Sequence, residues 1–100
     1  RTEKTGERTQ EMWIDKAEAE LGNIYGSRAK QVSMNIMPSC ISDFRQMLAK
    51  SKQGDRVTET YRTEDGLAEL LFIGEKRQDG LYLTGVSVNG NKVVSGAELL

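Results

Sequence analysis

Three turn signals constrain the second half of this chain. Glu64-Asp65-Gly66, Gln78-Asp79-Gly80 and Asn89-Gly90 punctuate residues 56–94. Asp-Gly and Asn-Gly tolerate the positive φ angles of tight hairpins and are the strongest short-range hairpin signal a sequence carries. The runs between them suit strands. Val57, Glu59 and Tyr61 alternate with Thr58, Thr60 and Arg62, and residues 67–73 are almost continuously apolar. Residues 81–88 and a short run at 92–94 follow. The pattern predicts a four-stranded antiparallel meander with residues 67–73 as its central strand. Leu70, Leu71, Phe72, Ile73, Leu83 and Val86 are its expected core.

The first half reads differently. Residues 1–8 are polar and charged and are expected to be flexible. Residues 9–25 then read as an amphipathic helix. Trp13, Ala17, Leu21 and Ile24 fall at i, i+4, i+8 and i+11, one face of a 3.6-residue repeat. Ile14 and Tyr25 widen that stripe, and Gly26 is a suitable stop. In residues 31–37, Val32, Met34 and Ile36 alternate with Ser33 and Asn35, which predicts a half-buried strand ended by Pro38. Ser39 then caps a predicted second helix over residues 40–51, with Ile41, Phe44, Met47 and Leu48 on one stripe. Ser95 and Glu98 have the spacing of a capping box, so a last helix is expected to begin there.

These elements predict one α+β domain over residues 1–100. An N-terminal amphipathic helix and a second helix pack on one face of a four- to five-stranded antiparallel sheet. A chain of 100 residues starting at Arg1 is read as a fragment of a longer protein. Its hydrophobic fraction of 37% is low for a self-sufficient globule, so either part of the chain is expected to lie outside the core or the protein is expected to pack against something else.

Composition narrows the chemistry. With 14 basic and 15 acidic residues the net charge is −1, so no basic excess points to nucleic acid. No apolar run approaches the roughly 20 residues of a membrane span. There is no histidine, which removes the commonest general base and metal ligand. Cys40 is the one cysteine. At a helix start its thiol would be activated, but no histidine serves as its base. It reads as a small buried hydrophobe or as one half of a disulfide completed outside this chain. The carboxylates Glu59, Glu64, Asp65, Glu69, Glu75 and Asp79 show no spacing that demands acid–base catalysis, and they suit solvated hairpin rims. The Asp-Gly and Asn-Gly turns lack the alternating acids of a calcium loop. Residues 22–26 lack the lysine of a phosphate loop. No catalytic, cofactor-binding or metal-binding residue is therefore assigned.

One combination goes beyond generic architecture. A helix closes at Ile24-Tyr25-Gly26-Ser27, a strand leads into Pro38-Ser39-Cys40 and a helix, and a late strand reads Val86-Ser87-Val88-Asn89-Gly90. Together these resemble the type IVb pilins and their pilin-like minor subunits. The resemblance implies a secreted structural subunit that forms or primes a filament, without catalysis.

The leading expectation is a non-enzymatic assembly subunit of a bacterial extracytoplasmic filament or secretion apparatus, at the cell surface or in the periplasm. Its partners are proteins, either copies of itself or assembly-machinery subunits, and it meets a membrane only through a segment outside this chain. Trp13, Ile14, Ala17, Leu21 and Ile24 are the expected interface, against the sheet or a neighbouring subunit. The alternative is a soluble protein–protein interaction module, an adaptor or small inhibitor that presents its sheet or sheet edge.

Overall fold

The computed structural model describes residues 3–94 and 96–100. Helix α1 (Glu3–Tyr25) passes through a short 3-10 turn, Gly26–Arg28, into helix α2 (Ala29–Lys50). Five strands follow: β1 (Arg56–Arg62), β2 (Glu69–Arg77), β3 (Gly80–Val88), β4 (Asn91–Val94) and β5 (Glu98–Leu99). The fold is α+β, with the N-terminal helical region packed on an antiparallel five-stranded sheet whose first four strands form a meander.

The helix–strand–helix order expected for the first half is replaced by one helical region from Glu3 to Lys50, interrupted only at Gly26–Arg28. The predicted strand over residues 31–37 and the predicted separate helix from Cys40 both lie inside α2. The reason is visible in the buried positions. Ala29, Ser33, Met37, Cys40, Phe44 and Leu48 fall at i, i+4, i+8, i+11, i+15 and i+19, a single helical stripe. It outweighs the two-residue alternation of Val32, Met34 and Ile36. Val32 and Ile36 sit on the flank of α2, and Met34 is 61% exposed. Pro38 lies on the solvent side, where the helix tolerates the missing amide. The helix also starts at Glu3 rather than Thr9. Arg1 and Thr2 lie outside the described residues.

Gly26 divides the helical region. Its φ of +60° is left-handed, a conformation that costs glycine little and ends α1 where the sequence suggested. A straight helix over residues 3–50 would be about 70 Å long at roughly 1.5 Å per residue. The longest dimension of the molecule is 40 Å, so the chain folds back at Gly26 and α1 and α2 pack together. They share one face of the sheet, α1 over β3, β4 and β5, and α2 mainly over β1 and β2.

The hairpins follow the turn chemistry. The β2–β3 loop is Gln78-Asp79, between the paired residues Arg77 and Gly80. The β3–β4 loop is Asn89-Gly90, with φ of 48° and 87°, the two positive angles of a type I′ turn. The helix expected after Ser95 is absent from the described residues. Glu98–Leu99 instead pairs with Tyr82 and Leu83 of β3, alongside β4. Ser95 itself lies outside the described residues. A two-residue strand here gains ladder hydrogen bonds that a helix end of that length could not.

Strand alternation splits the sheet into two faces. Leu70, Phe72, Leu83, Val86 and Val88 are buried under the helices with Phe44 and Leu48. Leu71 and Ile73, expected in the same core, point to the opposite face and are half-buried there among exposed Thr58 and Thr60. A continuous apolar run does not reveal that only every second residue meets the helices.

Candidate functional site

The five expected interface residues divide into two groups. Trp13, Ala17 and Leu21 are buried in the chain's own core. Trp13 packs edge-to-face on Phe72, with ring centroids 5.9 Å apart. Its indole N–H has no acceptor among the described residues. Ile14 and Ile24 are half-buried and pack at the edge of that core. The stripe read from the sequence thus meets the chain's own sheet.

A cleft with a volume of about 530 Å³ lies where α2 passes the β1–β2 turn. Val32 and Ile36 form an apolar wall, Asn35 and Ser39 add polar groups, and Arg28, Arg62, Glu64 and Asp65 supply charge. Its rim is fixed by a compact cluster. The Tyr25 phenol oxygen lies 2.8 Å from Thr63 Oγ1 and 2.7 Å from Asp65 Oδ1. The Thr63 hydroxyl donates to Asp65 Oδ1 at 2.7 Å, and the Leu67 N–H donates to the same oxygen at 3.0 Å. The Leu67 amide, followed by the Thr63 and Tyr25 hydroxyls, holds the Asp65 carboxyl below the usual carboxylate range. Burial pushes the Tyr25 phenol above its ordinary value. Arg28 lies over the Tyr25 ring, 5.5 Å from its centroid. This cluster ties the end of α1 to the first hairpin. The Asp65 turn was legible as a turn, but its tie to a tyrosine 40 residues away carries no local signal.

Cys40 is buried in α2. It is no longer at a helix start, so the dipole that would activate it is absent. Burial, and then the nearby Asp43 carboxylate, push its thiol up to about 11. The same carboxylate accepts a 2.6 Å hydrogen bond from the Tyr61 hydroxyl, linking α2 to β1. Burial and Asp43 raise the Tyr61 phenol as well. Such a thiol is protonated at neutral pH and shielded, the opposite of a nucleophile. Labelling of Cys40 by a thiol reagent at pH 7.5 is therefore expected to be about a hundredfold slower than in urea-unfolded protein. Comparable rates would show that the Cys40 face of α2 is not buried against the rest of the fold. The sign of the pH dependence follows. A group whose folded pKa is raised stabilises the fold below its unfolded value, 9.0 for this thiol, and that contribution is lost as pH rises towards 11. Stability should therefore decline above pH 9.

The sheet ends on one side at β1. All seven residues of β1 pair with β2, and among the described residues its other side has no strand beside it in the sheet order. Arg56 and Arg62 stand at its two ends on the face away from the helices, and Glu59 stands midway on the helix side. Among the described residues no cluster of histidine, cysteine, aspartate and glutamate suits a metal ion, and no helix is long and apolar enough to cross a membrane.

Known proteins add no constraint. Compared with protein-family models, curated proteins and solved structures, the chain has no match.

Proposed function

We propose that this chain is a non-enzymatic protein-interaction module that presents a sheet edge to a partner protein. The observation that carries the reading is β1: a seven-residue strand, regular along its whole length, with one side paired and the other open. An open strand of this length offers a row of backbone donors and acceptors that a second extended segment completes. The buried, protonated Cys40 supports the non-catalytic part of the reading.

A second reading has its own support. Ile14 and Ile24 are only half-buried, and Met34 is exposed on the helical layer. An amphipathic helix packed on a meander is also what a pilin-like subunit requires. In this reading the chain assembles through its helices, as a subunit of an extracytoplasmic filament or secretion apparatus.

Photo-crosslinking side chains placed at Thr58 and, separately, at Met34 distinguish the two in cells that make the protein. The module reading expects a discrete protein adduct from Thr58 and none from Met34. An adduct from Met34 alone would favour assembly through the helices. No discrete adduct from either site would remove both readings.

A further inference from the structure

We propose that the open edge of β1 takes an extended segment of a different protein, paired antiparallel along residues 56–62, with carboxylates six residues apart and a cation midway between them. This rests on the module reading and specifies its partner.

The charge pattern on β1 has a ready template on its paired side. Across the ladder, Glu75 stands opposite Arg56 and Glu69 stands opposite Arg62, so β2 itself presents carboxylates six residues apart. That template leaves the arginines incompletely satisfied. Arg62 donates to Glu69 through Nε and Nη2, at 3.1 and 2.9 Å, which leaves its other terminal nitrogen for an acceptor on the open side. Glu75 is engaged by Arg77, and among the described residues Arg56 has no ion pair. A second strand on the open side, with β2's acid spacing, would give each guanidinium a carboxylate. A lysine or arginine at its midpoint would face Glu59, which is half-buried on the helix side.

The same charges argue against a second copy as the occupant. In the symmetric antiparallel register that uses all seven residues, Arg56 would meet the partner's Arg62 and Glu59 would meet the partner's Glu59. Like charges directly opposite destabilise a strand pair. The edge is thus set against itself and towards a strand of complementary pattern. Beyond Arg62 the edge opens into the cleft, where Val32 and Ile36 offer an apolar surface to side chains on the helix side of an added strand.

The test uses the intact 100-residue chain, labelled with nitrogen-15, and two synthetic peptides. The first is acetyl-Glu-Val-Thr-Lys-Thr-Val-Glu-amide. The second is its charge reversal, acetyl-Lys-Val-Thr-Glu-Thr-Val-Lys-amide. The first peptide should bind about tenfold or more tightly than the second, because three cross-strand pairs change sign. Its amide shift changes should be confined to β1 and the adjoining flank of α2. Arg56→Glu, at an exposed position, should weaken the first peptide about two- to fivefold. A peptide ending in Lys instead of Glu should recover that loss.

Equal binding of both peptides overturns the proposal. So does an absence of shift changes at millimolar peptide, which would make the edge charges a guard against aggregation only. Shift changes confined to the Leu71–Ile73 face would also overturn it. That result would leave the module reading standing, because the crosslinks judge that reading independently.

Discussion

Replacing Phe72 with alanine is expected to destabilise the fold by about 4–5 kcal/mol, near the top of the range for a buried aromatic. Phe72 is fully buried at the centre of β2. Its ring meets Trp13 of α1 at 5.9 Å, Phe44 of α2 at 5.4 Å and Tyr61 of β1 at 5.3 Å, two of them edge-to-face. One side chain therefore joins both helices and the edge strand to the middle of the sheet. Its removal leaves a cavity bordered by elements that cannot all close in together, because each is held elsewhere. Domains of this size have about 5–15 kcal/mol of stability in total, so the variant should be close to unfolding at 37 °C. Urea denaturation followed by Trp13 fluorescence measures the loss directly. A change below about 1 kcal/mol would show that the helices do not rest on β2 at this point.

The second large effect comes from the smallest side chain. Gly74→Ala should cost about 1–3 kcal/mol, the usual penalty for overpacking a core. A Cβ at this position would lie 2.6 Å from the Tyr82 carbonyl oxygen, 2.7 Å from Phe44 Cε2 and 3.1 Å from Leu48 Cδ1. The phenylalanine and leucine side chains can shift, but the Tyr82 carbonyl is part of the β2–β3 ladder and is fixed by it. The ladder also changes register between Ile73 and Gly74, so the strands already depart from regular pairing there. Gly74 is thus a point at which side chains of α2 lie directly against the sheet backbone. Gly22 gives the opposite sign. It lies within α1, and an added Cβ would meet nothing within 4 Å. Gly22→Ala should therefore stabilise the chain by about 0.5–1 kcal/mol, the ordinary gain from removing glycine from a helix interior. A Gly74→Ala variant whose urea midpoint is unchanged or raised would show that the close approach of α2 at Gly74 is wrong, and a lowered midpoint for Gly22→Ala would overturn the second prediction.

The meander was legible because its determinants are local. Asn89-Gly90 encodes its turn in two residues, and the β1 alternation of Val57, Glu59 and Tyr61 appears unchanged in the burial pattern. The apolar stripe of α1 was legible for the same reason, since Trp13, Ala17 and Leu21 repeat at the helical period and are buried. Residues 31–37 were misread because seven residues contain too little helical period to outvote an alternating pattern. Their helix becomes evident only when Ala29 and Ser33 are counted together with Phe44 and Leu48, across a proline that ordinarily ends such a stretch.

Of the candidate site, the acidic turn and the charges of β1 stood in the sequence as isolated facts. Their meaning depended on which strand lay at the edge and which faced the helices. Local residue chemistry set the local events: where the hairpins turn, that α1 is amphipathic, and that no histidine-based chemistry is available. The tertiary structure alone decided the long-range ones. It folded α2 back on α1, placed Tyr25 against Asp65, buried Cys40 beside Asp43, and left one side of β1 open. The reason is that turn and helix preferences act over a few neighbouring residues. Burial and pairing are settled by competition among segments far apart in the chain.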